Sequence, residues 1–127
     1  MHIEEIAREV VDTAYCVPKA FGPGLLESAY TACTVHDLRK RGFRVETEVT
    51  LPVIFNGASV DAGYRLDIWV ERLIIIEVKA VEQLLPIHQA QLMTYLKLTG
   101  RTLGFLISFN VELIKNGLHR VLRPFAV

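Results

Sequence analysis

The unbroken apolar run Leu73-Ile74-Ile75-Ile76, continuing into Glu77-Val78-Lys79, limits the possible folds of this chain more than any other feature. Branched residues in succession predict a central strand buried on both faces, and such a strand is stable only if other elements cover the sheet above and below. The chain has the material for this. Its 127 residues, 51% of them hydrophobic, suffice for one domain with a substantial core, which we read as spanning 1–127.

The covering elements are legible on either side. Ile3, Ile6, Val10, Ala14 and Val17 recur at helical spacing, with Glu4, Glu5, Arg8, Glu9 and Asp12 largely opposite, predicting a helix over about 2–19 that Pro18 and Gly22-Pro23-Gly24 end. A second helix is expected from just after Gly24 to Gly42, with Glu27 in its first turn. From Phe43 the period changes to two, and Phe43, Val45, Thr47, Val49, Leu51 and Val53 read as the buried side of an antiparallel strand. Asn56-Gly57 marks a tight turn into a returning strand through Val60, Tyr64, Leu66, Ile68 and Val70. Glu71-Arg72 separates it from the central strand. Pro86 opens a third helix closed by Gly100, Leu103 to Phe109 gives a fourth strand, and Lys115-Asn116-Gly117 turns into a short edge strand over Leu118–Leu122. The order α, α, β, β, β, α, β, β is that of an α/β (α+β) protein with helices packed on a sheet.

Composition removes several classes of function. Fourteen basic and fourteen acidic residues give zero net charge, so no long-range field draws in a polyanion; the clusters Arg39-Lys40-Arg41 with Arg44, and Arg120 with Arg123, suit a solvated face. No segment approaches the roughly 18 apolar residues of a membrane span, and the amphipathic, acidic N-terminus is unlike a secretory signal. Two cysteines, Cys16 and Cys33, make neither a disulfide framework nor a zinc site, and a reducing, cytoplasmic setting fits.

The chemistry concentrates on the central strand. Alternation puts Glu77 and Lys79 on one face, about 7 Å apart. A turn centred on Arg72 sets Asp67 directly across from Glu77 with its side chain on the same face. Two close carboxylates in apolar surroundings repel and are costly to ionise, and a divalent cation resolves the conflict. Hard carboxylate oxygens suit Mg²⁺, with Mn²⁺ as a substitute, and Lys79 beside them can position or deprotonate a water and offset charge on a phosphate oxygen. The same spacing also suits an ordinary surface pair between Glu77 and Lys79, worth under about 1 kcal/mol.

Asp67 followed by Glu77-Val78-Lys79 after an apolar strand resembles the core of the PD-(D/E)XK nuclease superfamily, and Gly24-Leu25-Leu26-Glu27-Ser28-Ala29-Tyr30 resembles the GxxExxY signature of one small branch of it. Tyr64-Arg65-Leu66-Asp67, Glu77-Val78-Lys79-Ala80 and the segment His88 to Leu96 resemble that branch in order and spacing, so the resemblance covers nearly the whole chain. It implies a restriction-endonuclease-like αβββαβ core with a mixed sheet. It further implies that Asp67 and Glu77 are metal ligands with the Val78 backbone carbonyl as a third, that Lys79 is the catalytic lysine, and that Glu27 is an additional acid for a second metal or an activated water. Gln91 and Tyr95 match a QxxxY pattern and share a helical face, with His88 one turn earlier; the resemblance implies that Gln91 bonds near the lysine or a phosphate. From spacing alone, Glu27 is equally a helix-start residue favoured by the macrodipole, and Gln91 and Tyr95 equally a polar face in water. Leu66 stands where the name-giving proline would be.

Together these readings describe a Mg²⁺-dependent nuclease with nucleic acid, DNA favoured, as its partner, no membrane association, and an apolar surplus that permits a homodimer. The alternative is a non-catalytic nucleic-acid or protein-binding module that keeps the scaffold.

Overall fold

The apolar stripe beginning at Ile3 forms α1 (Ile3–Phe21), and its buried positions Ile6, Val10, Ala14 and Val17 are those the periodicity marks. Pro18 does not end this helix: the stripe still buries Val17, and the chain turns out only at Gly22, where φ is 67° and the N–H closes on the Pro18 carbonyl. Here the expectation is corrected by two residues. α2 (Glu27–Lys40) follows after an extended connection, leaving Leu25 and Leu26 outside the helix. The computed structural model describes residues 2–124, so the outermost positions of the expected 1–127 domain lie outside the described residues.

Five strands make one sheet in the order β1-β2-β3-β4-β5: β1 (Val45–Phe55), β2 (Ala58–Val70), β3 (Ile74–Lys79), β4 (Leu103–Ser108) and β5 (Leu118–Leu122). Neighbours are antiparallel except β3 and β4, whose parallel pairing requires a crossover, supplied by α3 (Pro86–Thr99). The sheet is therefore mixed, and the α2-β1-β2-β3-α3-β4 stretch has the αβββαβ order.

β3 is buried on both faces, as its composition requires. Ile74, Ile76 and Val78 join α1 and α2 in one apolar cluster, while Ile75 packs with Leu92, Tyr95 and Leu96 of α3 in the other. Each fully buried isoleucine contributes about 1.5–3 kcal/mol relative to exposure. α3 approaches β4 so closely at Gly104 that a Cβ there would meet Leu92 Cδ1 at 2.9 Å.

The β2–β3 turn sets the register. Glu71 and Arg72 both have positive φ, 52° and 54°, a conformation that costs about 1–2 kcal/mol per non-glycine residue. Arg72 is held there by two 2.7 Å bonds to the Glu46 carboxylate and lies 4.4 Å above the Trp69 ring. The resulting pairs, Ile68 with Ile76 and Val70 with Ile74, are those of the register expected from the sequence.

β1 departs from the expected simple alternation. Val45 is buried on the α1/α2 side, Thr47 is exposed, and Leu51 is buried on the α3 side. β2 does the same, with Ile68 in one cluster and Leu66 in the other. The change of face centres on Glu48, whose φ is 51°; the β1–β2 ladder omits the Glu48–Asp67 pair while keeping the same register on either side. The hairpin thus rolls about Asp67, and its outer part leaves Ile54 and Phe55 exposed.

Candidate active site

Three elements bring the sequence-singled residues into proximity. Glu77 and Lys79 come from the end of β3, Asp67 from β2 at the roll, and Tyr95 from the buried side of α3. The β2–β3 ladder ends at Ile68 and Ile76, and beyond it side chains take over the bonding. Asp67 Oδ2 accepts the Val78 N–H at 2.9 Å, and Glu77 Oε1 accepts the Asp67 N–H at 3.2 Å. Each carboxylate therefore ties down the backbone beside the other.

The roll explains why the Asp67 N–H is available. Just past β2, Glu71 directs its N–H to the Arg44 carbonyl of the segment leading into β1, and in a regular ladder strand alternation aims the Asp67 N–H the same way. Its partner there would be Glu48, which the positive φ removes from the ladder. Val78 is oriented by the same logic. A strand residue directs its N–H and C=O to one side, so the Val78 carbonyl faces the side of Asp67, whereas Lys79 bonds toward β4 through the Phe109 N–H.

Glu77 is only 4% exposed. Burial, followed by repulsion from Asp67, pushes its carboxyl up to about 9, and the Lys79 ammonium only partly counters this. Tyr95 forms part of the cover. It is buried, meets Tyr64 edge-on at 6.0 Å, and its phenol is pushed up to about 12 by burial and by the charges of Glu77 and Asp67. A low-dielectric wall thus stands over one carboxylate.

The remaining residues fall differently. Glu27 is exposed at the head of α2, and together with Glu48 and Asp67 it lines a cleft of about 540 Å³ between α2 and the hairpin. Among the described residues, however, no three His, Cys, Asp or Glu side chains are gathered closely enough to hold an ion by themselves. Gln91 is exposed on α3, and His88 accepts the Leu85 N–H on Nδ1 at 3.0 Å, capping that helix. Tyr30 is fully buried: its hydroxyl donates to the Gly22 carbonyl at 2.7 Å and accepts from the Leu25 N–H at 3.1 Å, while its ring stacks on Phe109 at 4.8 Å. It fixes the extended connection from which Glu27 enters α2. One contributor had no sequence signal: Glu48 looks like any exposed strand glutamate. Tyr64 falls in the segment Tyr64–Asp67 that carries the resemblance, but the resemblance gives it no role of its own.

A carboxylate pair at the end of a central strand, a lysine two residues on, and an αβββαβ order agree with one comparison: the profile of the PD-(D/E)XK nuclease superfamily matches residues 4–121. The chain belongs to the PD-(D/E)XK nuclease superfamily. No curated protein and no solved structure gives a significant match. Membership accounts for a restriction-endonuclease-like fold and a nuclease-type scaffold, and divalent metals are typical of the superfamily. Among the described residues, no helix is long and apolar enough to cross a membrane.

Proposed function

We infer that this PD-(D/E)XK domain hydrolyses phosphodiester bonds of nucleic acid, DNA in the first instance, with Mg²⁺ or Mn²⁺ at Asp67, Glu77 and the Val78 carbonyl. The observation that carries this reading is the mutual capping of Asp67 and Glu77, which keeps two acidic side chains together at an electrostatic cost that a bound cation offsets. The donor set fits: it is all oxygen, two carboxylates and a carbonyl on one side of β3, which suits a hard cation that keeps several waters. When bound, such an ion polarises a phosphoryl oxygen and acidifies water.

The chain's own groups supply the rest. Lys79, partly exposed beside Glu77, offsets charge that builds on a phosphate oxygen or orients the attacking water. Tyr95 and Tyr64 keep bulk water from the Glu77 side, which strengthens electrostatic interactions there. Glu27, on the cleft wall that Asp67 shares, is placed to hold a proton or a water on the open side. Gln91 and Tyr95 supply the QxxxY pattern seen in RecB-type nucleases, with the exposed Gln91 free to reach a phosphate. So small a chain gains gripping surface as a homodimer, and the cytoplasm is the setting that suits its two free cysteines.

The test is incubation of plasmid, single-stranded DNA and RNA with the protein across Mg²⁺ and Mn²⁺. Metal-dependent cleavage that disappears in Glu77→Ala is the expected result, and cleavage that persists in that variant overturns the site. The second reading, a non-catalytic binding module, draws on the absence of a three-ligand group among the described residues. It would be favoured if millimolar Mg²⁺ left the melting temperature of the wild type unchanged.

A further inference from the structure

Two arginines two residues apart at the C-terminal end of α2, Arg39 in its last turn and Arg41 at its cap, have opposite fates. Arg41 is neutralised: its guanidinium lies 3.1 Å from Glu9, 2.8 Å from Asp12 and 2.9 Å from Asp37, and these contacts bind the end of α2 to α1. Arg39 has no ion-pair partner among the described residues. One of its nitrogens, Nη2, donates to the Val45 carbonyl at 2.8 Å, which aims the planar group while leaving Nε and Nη1 without a partner among the described residues. Arg39 lines the same cleft as Asp67.

The cleft wall is consistent with this. Ser28, Thr31 and Arg39 fall on one stripe of α2 and His36 lies beside it, all four facing the cleft whose other side holds Thr47, Glu48 and Asp67. Acid stands at the Glu27 end and cation at the Arg39 end. The twelve residue steps of helix from one to the other rise about 18 Å, enough to lie beside several phosphates of one strand at about 3.4 Å of axial rise each. An oriented guanidinium with spare donors suits a phosphate oxygen better than a mobile ammonium does.

We propose that this face of α2 is the track for the nucleic-acid backbone, with Arg39, assisted by His36, binding a phosphate that flanks the scissile one. The inference rests on the nuclease reading and adds to it a binding subsite outside the carboxylate pair. The track recognises backbone charge, so it gives no base preference of its own. It also explains how a chain of zero net charge holds a polyanion: one unpaired, aimed cation next to the chemistry substitutes for a general basic surface.

The experiment compares wild type, Arg39→Gln, Arg39→Lys and His36→Gln, measuring steady-state cleavage in Mg²⁺ and anisotropy of a labelled single-stranded oligonucleotide in EDTA over a range of salt. Arg39→Gln should raise KM about tenfold with kcat within about threefold, and reduce the slope of log K against log salt by about 0.7. Arg39→Lys should recover part of the loss and most of the salt slope. His36→Gln, whose side chain has no hydrogen-bond partner among the described residues, should raise KM by about twofold to threefold without the folding risk of losing the Val45 contact. Wild-type cleavage with unchanged KM and salt slope in Arg39→Gln and His36→Gln overturns the track and leaves the nuclease reading intact. Strand binding that weakens in Arg39→Gln while the wild type cleaves nothing supports the track and overturns the nuclease reading. A wild type that neither binds nor cleaves overturns both.

Discussion

Asp67 stands between two kinds of carboxylate, Glu77 bonded to its backbone and Glu27 across the cleft that it lines. Glu77 is enclosed between β3 and α3, bonded to a backbone N–H and pushed toward neutrality; Glu27 stands in water at the start of a helix whose dipole already favours it. Both are glutamates, and their surroundings alone separate them. A buried acid held next to another acid is destabilising by itself and indicates a selected use, whereas an exposed acid in a first turn needs no function to explain it. The proposed chemical role of Glu77 therefore draws on its burial beside Asp67, and that of Glu27 only on its place in the cleft.

The largest expected effect tests the enclosed pair. Lys79→Ala and Asp67→Ala should each lower cleavage by at least about a thousandfold, read by plasmid nicking, while Glu27→Gln should cost no more than about a hundredfold. Equal losses at Glu27 and Asp67 would erase the distinction between the two kinds of acid. Next in size is the response to metal. Mg²⁺ or Mn²⁺ at a hundred times its dissociation constant should stabilise the wild type by about 2.7 kcal/mol, measured as a melting shift, and should leave Asp67→Ala unmoved.

The acidity of Glu77 gives a third expectation. Its folded value of about 9 lies above the ordinary 4.5, so the folded chain keeps a proton that the unfolded chain releases. The stability this contributes is complete below about pH 4.5 and is lost as pH rises toward 9. Metal-free Glu77→Gln should therefore lose the downward slope in stability across that window, which is at most about 1.4 kcal/mol per pH unit, and should melt higher than wild type at pH 8, by about 2 kcal/mol. The matching change at exposed Glu27 should be within about 0.5 kcal/mol. Smaller again, Tyr30→Phe removes a hydroxyl that serves both Gly22 and Leu25 and should cost about 1–2 kcal/mol in urea unfolding.

Much of the enclosed region was legible beforehand because its determinants are local. The branched run of β3 demands burial, and two polar residues at Glu71-Arg72 between apolar strands fix the turn; from these the opposition of Asp67 and Glu77 follows. The open side was less legible. Nothing in Phe43 to Val53 announces that Glu48 adopts a left-handed conformation, since the apolar alternation there continues as if one face were buried throughout. Tyr95 could be placed on a helix but not in the core: the sequence marks Leu92, Met93 and Leu96 as the apolar side of α3 and groups Tyr95 with polar Gln91, whereas Tyr95 is buried beside Leu92 and Leu96. Pro18 misled for a related reason: a proline near a helix end is a frequent terminator, and only the packing of Val17 decides against it.

Gly104 carries a consequence remote from its own position. With no side chain there, α3 settles onto β4 until Leu92 touches the backbone, and Tyr95, one turn along the same helix, comes down with it as a roof over Glu77. An alanine in that spot would force the Leu92 side chain aside and loosen the packing above the carboxyl, making it a stronger acid. A hydrogen atom in the packing of one strand thus helps to set the proton affinity of a group on the next.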